Sequence, residues 1–231
     1  MKQIICDHIQ TIGKRIHYAV MQYQQDLNAV SLLAVSKRHP VSAIEQAIEC
    51  GQAKFGENYA QEMVEKAQQL QQRGHTNIEW HFIGPIQANK TRIIAATAHW
   101  VHSIDRYKIA RRLSEQNPDL KRPINLCLQV NVDNETSKSG VSLNELPDLA
   151  NSIQSMTGVV LRGLMAIPVA TDDFQQQRQS FAKVRKAMEA LNKQGYNLDT
   201  LSMGMTGDME AAIAEGATMV RIGTAIFGQR S

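Results

Sequence analysis

The sequence predicts an α/β fold, a single (β/α)8 TIM barrel with an extra N-terminal helix. Three observations predict it. Short apolar, often β-branched runs alternate with longer amphipathic stretches along most of the chain. Eight such runs occur with seven helical stretches between them, the arrangement that closes a barrel of parallel strands. No linker, repeat or low-complexity stretch divides the 231 residues, so one domain over 1–231 is expected. A doubly wound open sheet is the alternative architecture.

Taken in order, Ile5, Ile9, Ile12, Ile16, Ala19 and Tyr23 recur at steps of three and four, so 4–23 is an amphipathic helix ahead of any strand. SLLAVSK (31–37) is too short for a helix and reads as the first strand. VSAIEQAIECG (41–51) has helical spacing, a Ser42/Glu45 capping box and Gly51 as a stop. KFGEN (54–58) is the second strand, and a Gln/Glu-rich helix over 59–72 ends near Gly74. EWHFIG (79–84) precedes a helix over 87–97, and WVHSI (100–104) a helix over 106–117. INLCLQVNV (124–132) is the longest strand signal, followed by helix 142–155. VVLRGLMAI (159–167) leads to a long helix over 173–194, closed by Gly195. TLSMG (200–204) leads to helix 207–215, stopped by Gly216, and MVRIGTAIFG (219–228) is the last strand. No eighth helix follows it. The N-terminal helix is expected to cover that gap, because first and last strands are neighbours in a closed barrel.

Composition narrows the function classes. With 25 basic and 22 acidic side chains the net charge is +3, too even to announce nucleic-acid binding. No apolar run approaches the ~20 residues of a membrane span, and MKQIICDHIQ shows no signal peptide. Cys6, Cys50 and Cys127 are odd in number, far apart and without a CxxC, which reads as reduced or incidental thiols of a cytoplasmic protein. His99 and His102 flank Trp100 without a further ligand cluster, so no metal site is expected.

The active face of such a barrel lies at the C-terminal strand ends. There the chain places Lys37, Glu57-Asn58, Gly84-Pro85, Ser103 to Asp105, Asn131, the run from Ser202 to Thr206, and Gly223-Thr224. His81 lies within the third strand, Met165 within the sixth and Arg221 within the eighth. Small and hydroxyl residues after strands seven and eight suit a phosphate cradle of backbone N–H groups. They equally suit a turn with a helix cap on Thr206 or Asp208. A strand-end lysine such as Lys37 either snorkels into solvent or, partly desolvated, serves as an amine nucleophile toward an aldehyde. An arginine inside so apolar a strand requires a partner, either a carboxylate or a ligand. His81 reads as a hydrogen-bonded core histidine.

LLAVSKRHP, KFGENYAQE, EWHFIGPIQANK, DNETSKSG, RGLMAIP and LSMGMTGDMEAAIAEGATMVRIGTAIFG, in this order, resemble the pyridoxal phosphate homeostasis protein family. The match runs from about residue 30 to the C-terminus. That family resembles the barrel domain of bacterial alanine racemase standing alone. The resemblance implies pyridoxal 5′-phosphate (PLP) as cofactor, held as an internal aldimine on Lys37. It implies Asn58 near the cofactor, Met165 and Ser202 lining ring and phosphate, and Gly204, Met205 and Thr206 facing Gly223 and Thr224 across the phosphate. It places Arg221 at the pyridine nitrogen. Two positions depart from the family pattern: Thr206 stands for a serine, and His39 for a second lysine.

The implied role is intracellular PLP homeostasis, regulation or delivery, by a monomer without an established turnover reaction, with apo PLP-dependent enzymes as recipients. A guanidinium at Arg221 cannot accept from a protonated ring nitrogen as a carboxylate would, so the nitrogen is expected to stay neutral and a carbanion to be poorly delocalised, although the racemases that this barrel resembles also use an arginine there. The sequence also stops shortly after Gly228, without the β domain that supplies a racemase with its second base. Tyr59 and Tyr107 are the candidate substitutes, and packing roles are expected for both. Lys138 is a loop lysine able to compete for the aldehyde, but an ordinary solvated loop lysine is the favoured reading. Other readings are a weak amino-acid racemase, a Schiff-base aldolase of phosphorylated sugars, and an interaction protein with purely structural PLP.

Overall fold

Parallel strands buried on both faces favour near-continuous apolar runs, and the segments SLLAV, INLCLQV and VVLRGLMA come nearest to that. In the computed structural model, which describes residues 2–23, 25–26, 29–133, 135 and 139–229, eight strands close on themselves. They are β1 (Ser31–Val35), β2 (Lys54–Glu57), β3 (Glu79–Phe82), β4 (Trp100–Ile104), β5 (Ile124–Val130), β6 (Val159–Ala166), β7 (Thr200–Ser202) and β8 (Met219–Ile222). Each pairs in parallel with its sequence neighbours. β8 pairs with β1 from Ser31↔Met219 to Ala34↔Ile222, which rules out the open sheet.

The helices are α1 (Lys2–Gln22), α2 (Val41–Glu49), α3 (Ala60–Gln72), α4 (Thr91–Thr97), α5 (Tyr107–Gln116), α6 (Leu146–Ile153), α7 (Phe174–Lys193), α8 (Met209–Ala214) and α9 (Thr224–Phe227). α1 packs on α2, α8 and α9, covering the seam between β8 and β1 as its periodicity anticipates. Its buried stripe is Ile5, Ile12, Ile16, Ala19 and Val20. Polar bonds add to this: His8 Nδ1 lies 2.9 Å from Ile226 O, and Arg15 grips Glu210 through two bonds of 2.8 and 2.9 Å. No helix among the described residues is long and apolar enough to cross a membrane.

Three expectations need correction. The last strand ends at Ile222, and the chain turns at Gly223 into the short helix α9. A strand continuing to 228 would run past the rim of the barrel, where no partner remains for it. The Ser42/Glu45 capping box does not form; Pro40 occupies the cap, and Glu45 instead pairs with Arg73 at 2.7 Å. Cys6 and Cys50 are not separate thiols but a disulfide, with Cα atoms 5.5 Å apart, which ties α1 to the end of α2. The pairing is invisible in sequence because it exists only once α1 lies over the β8–β1 seam. Cys127 is free, and burial pushes its thiol up to about 12.

Two outcomes follow for stability. A Cβ on Gly163 would lie 1.8 Å from Thr200 O, an approach between β6 and β7 that only glycine permits. Gly163→Ala should cost about 3 kcal/mol, lowering Tm by roughly 10 °C in a chain of this size; an unchanged Tm in calorimetry would refute the close approach. The bridge closes a 44-residue separation, worth about 4 kcal/mol in the chain-entropy account. Cys6→Ser should therefore lower Tm in oxidising buffer and leave it unchanged when reductant is present.

Candidate functional site

The C-terminal mouth of the barrel holds a cleft of about 190 Å³. Its walls come from opposite ends of the chain, because β1 and β8 are hydrogen-bonded neighbours. From the β1 side come Val35, Lys37 and His39; Asn58 and Ile83 follow β2 and β3; Ile167 follows β6. From the β7 and β8 side come Met205, Thr206, Arg221, Gly223 and Thr224.

Lys37 lies in the turn after β1, and that turn is tightly built. Arg38 is left-handed (φ 62°), a conformation that bulky residues adopt only when their surroundings impose it. Glu62 accepts from its backbone N–H, and Tyr59 Oη accepts from its guanidinium at 2.9 Å. Just before Lys37, Ser36 Oγ donates to Glu57 at 2.7 Å, and Ser36 O accepts from Lys66 Nζ at 2.8 Å. Lys66 also binds Glu57 and Glu62, each at 2.7 Å. Burial raises the Glu57 carboxyl to about 7, against the pull of Lys66 and Ser36. A buried pair of this kind contributes position more than net stability.

Asn58 is clamped from below: a Cβ on Gly84 would lie 2.1 Å from Asn58 O. Asn58 Oδ1 is buried and has no hydrogen-bond partner among the described residues. An orphaned buried acceptor beside a cleft is a place for a ligand donor.

On the far wall the chain reverses at Gly204 (φ 95°), where a Cβ would strike Ala212 Cβ at 2.7 Å. Asp208 takes the cap position of α8 but turns its carboxylate back to accept from Met205 N at 2.6 Å. Burial raises its carboxyl, opposed by that bond and by Arg221. Arg15 on α1 donates to Thr206 O at 3.1 Å, so the N-terminal helix steadies this loop. Gly223 sits 3.2 Å, measured from a Cβ built there, from Val35 O and opens α9 with Thr224.

Arg221 is 4% exposed. Its backbone N–H donates to Gly204 O at 2.9 Å. Its guanidinium donates to Ser202 O, to Ser202 Oγ at 2.9 Å and to Ala166 O at 2.9 Å. Burial lowers it to about 10, partly offset by Asp208, so it remains a cation at neutral pH. Among the described residues no carboxylate is ion-paired with it, so the salt-bridge alternative does not hold.

Seven of the ten expected site residues therefore line the cleft: Lys37, Asn58, Met205, Thr206, Arg221, Gly223 and Thr224. Met165, Ser202 and Gly204 do not. Met165 is buried below with Trp100 and Cys127, while Ser202 underlies Arg221. Side chains alternate along a strand, so Ile167, two residues on from Met165, reaches the mouth in its place. Val35, Ile83 and Ile167 add an apolar wall; the alternation of each strand, carried to its last inward position, points to them. His39 also lines the cleft, with its ring 5.1 Å from that of Phe227. Tyr59 and Tyr107 are each 47% exposed and outside it, in contact with Arg38 and Arg111. Lys138 falls outside the described residues. Among the described residues no group of three or more His, Cys, Asp or Glu is placed to hold a metal ion.

The family model "Alanine racemase, N-terminal domain" matches residues 14–231. A pyridoxal phosphate homeostasis protein of Pasteurella multocida is 50% identical over 225 residues, covering 96% of each chain. Its Escherichia coli counterpart is 46% identical over 226 residues, covering 98% of this chain and 97% of the other. The structure of PipY from Synechococcus elongatus with PLP bound aligns with a TM-score of 0.82 at 33% identity, covering 97% of this chain and all of that one. Alanine racemase from Corynebacterium glutamicum shares the fold (TM-score 0.73, 15% identity), and 62% of its length is matched. By its sequence over nearly its whole length, the chain belongs to the family of pyridoxal phosphate homeostasis proteins, built on the alanine racemase N-terminal barrel.

Proposed function

We propose that this cleft binds PLP reversibly and that the protein serves PLP homeostasis by holding and releasing the cofactor. The carrying observation is the convergence in one cleft of the Lys37 amine, the Arg221 cation, the orphaned Asn58 Oδ1 and the small-residue loops at 204–206 and 223–224. PLP is a planar pyridine with an aldehyde, a phenol and a phosphate, and each finds a match. Lys37 Nζ is the amine that would hold the aldehyde, by a condensation that releases water. Asn58 Oδ1 accepts a hydrogen bond from the phenol side of the ring. The N–H groups after Gly204 and at the start of α9 receive the phosphate. Ile83 and Ile167 would give the ring an apolar wall. Arg221 would donate to the ring nitrogen and, as a buried cation, oppose its protonation.

When bound, PLP supplies an electrophilic carbon and an electron sink. The residues here weaken the sink, which favours storage over turnover. Among the described residues, His39 is the only titratable side chain lining the cleft besides Lys37 and Arg221. The further reading is a monomer in the cytoplasm that passes PLP to apo enzymes. In such a reducing compartment Cys6 and Cys50 would be held side by side as thiols.

Titrating purified protein with PLP tests the reading. Wild type should develop a visible absorption band, and borohydride should fix the cofactor mass to the Lys37 peptide. Lys37→Ala should show neither; a wild type without a band in excess PLP would overturn the proposal. Thr206→Ala should keep the band and weaken binding about tenfold, the ~1.4 kcal/mol of one lost phosphate contact. Release to an apo PLP enzyme should reactivate it, and alanine racemisation above the rate of free PLP would point to catalysis instead.

A further inference from the structure

Beneath the cleft the barrel interior departs from the branched apolar layers usual for this fold. Four buried polar residues on four strands are joined end to end. Ser202 Oγ lies 2.9 Å from the Arg221 guanidinium and 2.8 Å from His102 Nδ1. His102 Nε2 lies 2.9 Å from His81 Nδ1, and His81 Nε2 lies 2.9 Å from Glu79 Oε1. Arg221, Ser202, His102 and His81 are all buried. Glu79 opens β3 at the opposite end of the barrel, where its side chain is 37% exposed and Lys54 lies 3.9 Å away.

A lone histidine ring in such a chain is ambiguous, because either nitrogen can carry the proton. Here the ends remove the ambiguity. A guanidinium only donates and a carboxylate only accepts. Burial holds both histidines below their ordinary range, and the bond from His81 holds the Glu79 carboxyl below its own. Each neutral ring then donates once and accepts once. Only one assignment makes all four bonds: Arg221 donates to Ser202, Ser202 to His102 Nδ1, His102 Nε2–H to His81 Nδ1, and His81 Nε2–H to Glu79. Trp100 stacks on His81, with ring centroids 5.6 Å apart and planes within 7°, which fixes that ring's plane.

We propose that Glu79, His81, His102 and Ser202 are positioning residues for Arg221, forming a one-way hydrogen-bond chain through the barrel that anchors the guanidinium to a carboxylate at the far end. The chain explains how an arginine with no ion-paired carboxylate among the described residues is tolerated in an apolar strand. Ser202 and Ala166 take three of its hydrogen bonds, which leaves its other N–H groups for the cleft. The benefit to a bound pyridine nitrogen rests on the PLP reading; the direction of the chain does not.

Nitrogen-15 NMR of histidine-labelled, cofactor-free full-length protein tests the direction, with signals assigned by single His→Gln variants. Both His81 and His102 should be neutral Nε2–H tautomers. Either ring as the Nδ1–H tautomer or as imidazolium at neutral pH would overturn the proposal. Glu79→Gln keeps an acceptor oxygen and should preserve both tautomers. Glu79→Leu, at the half-exposed strand start, should shift His81 toward Nδ1–H and speed proton exchange of the Arg221 guanidinium at least tenfold. Unchanged exchange in Glu79→Leu would also overturn it. Where PLP binds, Glu79→Leu should weaken it and Glu79→Gln should not. A wild type that fails to bind PLP yet shows both Nε2–H tautomers would reject the PLP reading and leave the chain standing.

Discussion

Everything at the mouth of this barrel depends on the backbone pairing of β8 with β1. Ser31 through Ala34 run beside Met219 through Ile222, which joins the two ends of the chain. That ladder sets Lys37 across from Arg221, Gly223 and Thr224, so a nucleophilic amine, a cation and a run of backbone N–H groups share one cleft. It also leaves the seam that α1 must cover. The same helix then holds the loop after β7, through Arg15 on Thr206, and the helix after β8, through His8 on Ile226.

The second constraint is electrostatic. Charge buried in this fold is held by hydrogen bonds. Inside the barrel Arg221 bonds Ser202 and Ala166, with the buried histidines beyond Ser202, and on α3 outside the strands Lys66 bonds Glu57, Glu62 and Ser36. The two networks act on neighbouring strands of the cleft wall, β8 and β1. One fixes the cation, and the other fixes the turn carrying Lys37. Rigid polar scaffolds of this kind suit a cleft that must present fixed donors to a small, highly functionalised ligand.

Much of the site was legible because strand ends are local features. AVSK, FGEN and VRIGT each announce a short apolar run that stops at a polar residue, and the fold class says which face those stops share. Depth was not legible. Met165 and Ser202 sit on the correct strands but one layer down, because alternation decides which inward side chain reaches the rim. His81 was read as a bonded core histidine, and its partner is indeed another side chain; that the partner is His102, and that the bonds continue to Arg221, depends on strand stagger. The Cys6–Cys50 bridge escaped for the same reason, since its two helices meet only across the closed seam.

By itself, then, the order of apolar runs and amphipathic stretches determined the barrel, its covering N-terminal helix and the list of groups at its mouth. Periodicity is a local property, and each element buries its own stripe wherever it finally packs. The tertiary structure alone decided which groups touch. It made a disulfide of two distant cysteines, turned residues 224–227 from strand to helix, left Asn58 Oδ1 without a partner among the described residues and linked Glu79 to Arg221. Those outcomes depend on register and closure, which arise only when all eight strands pair at once.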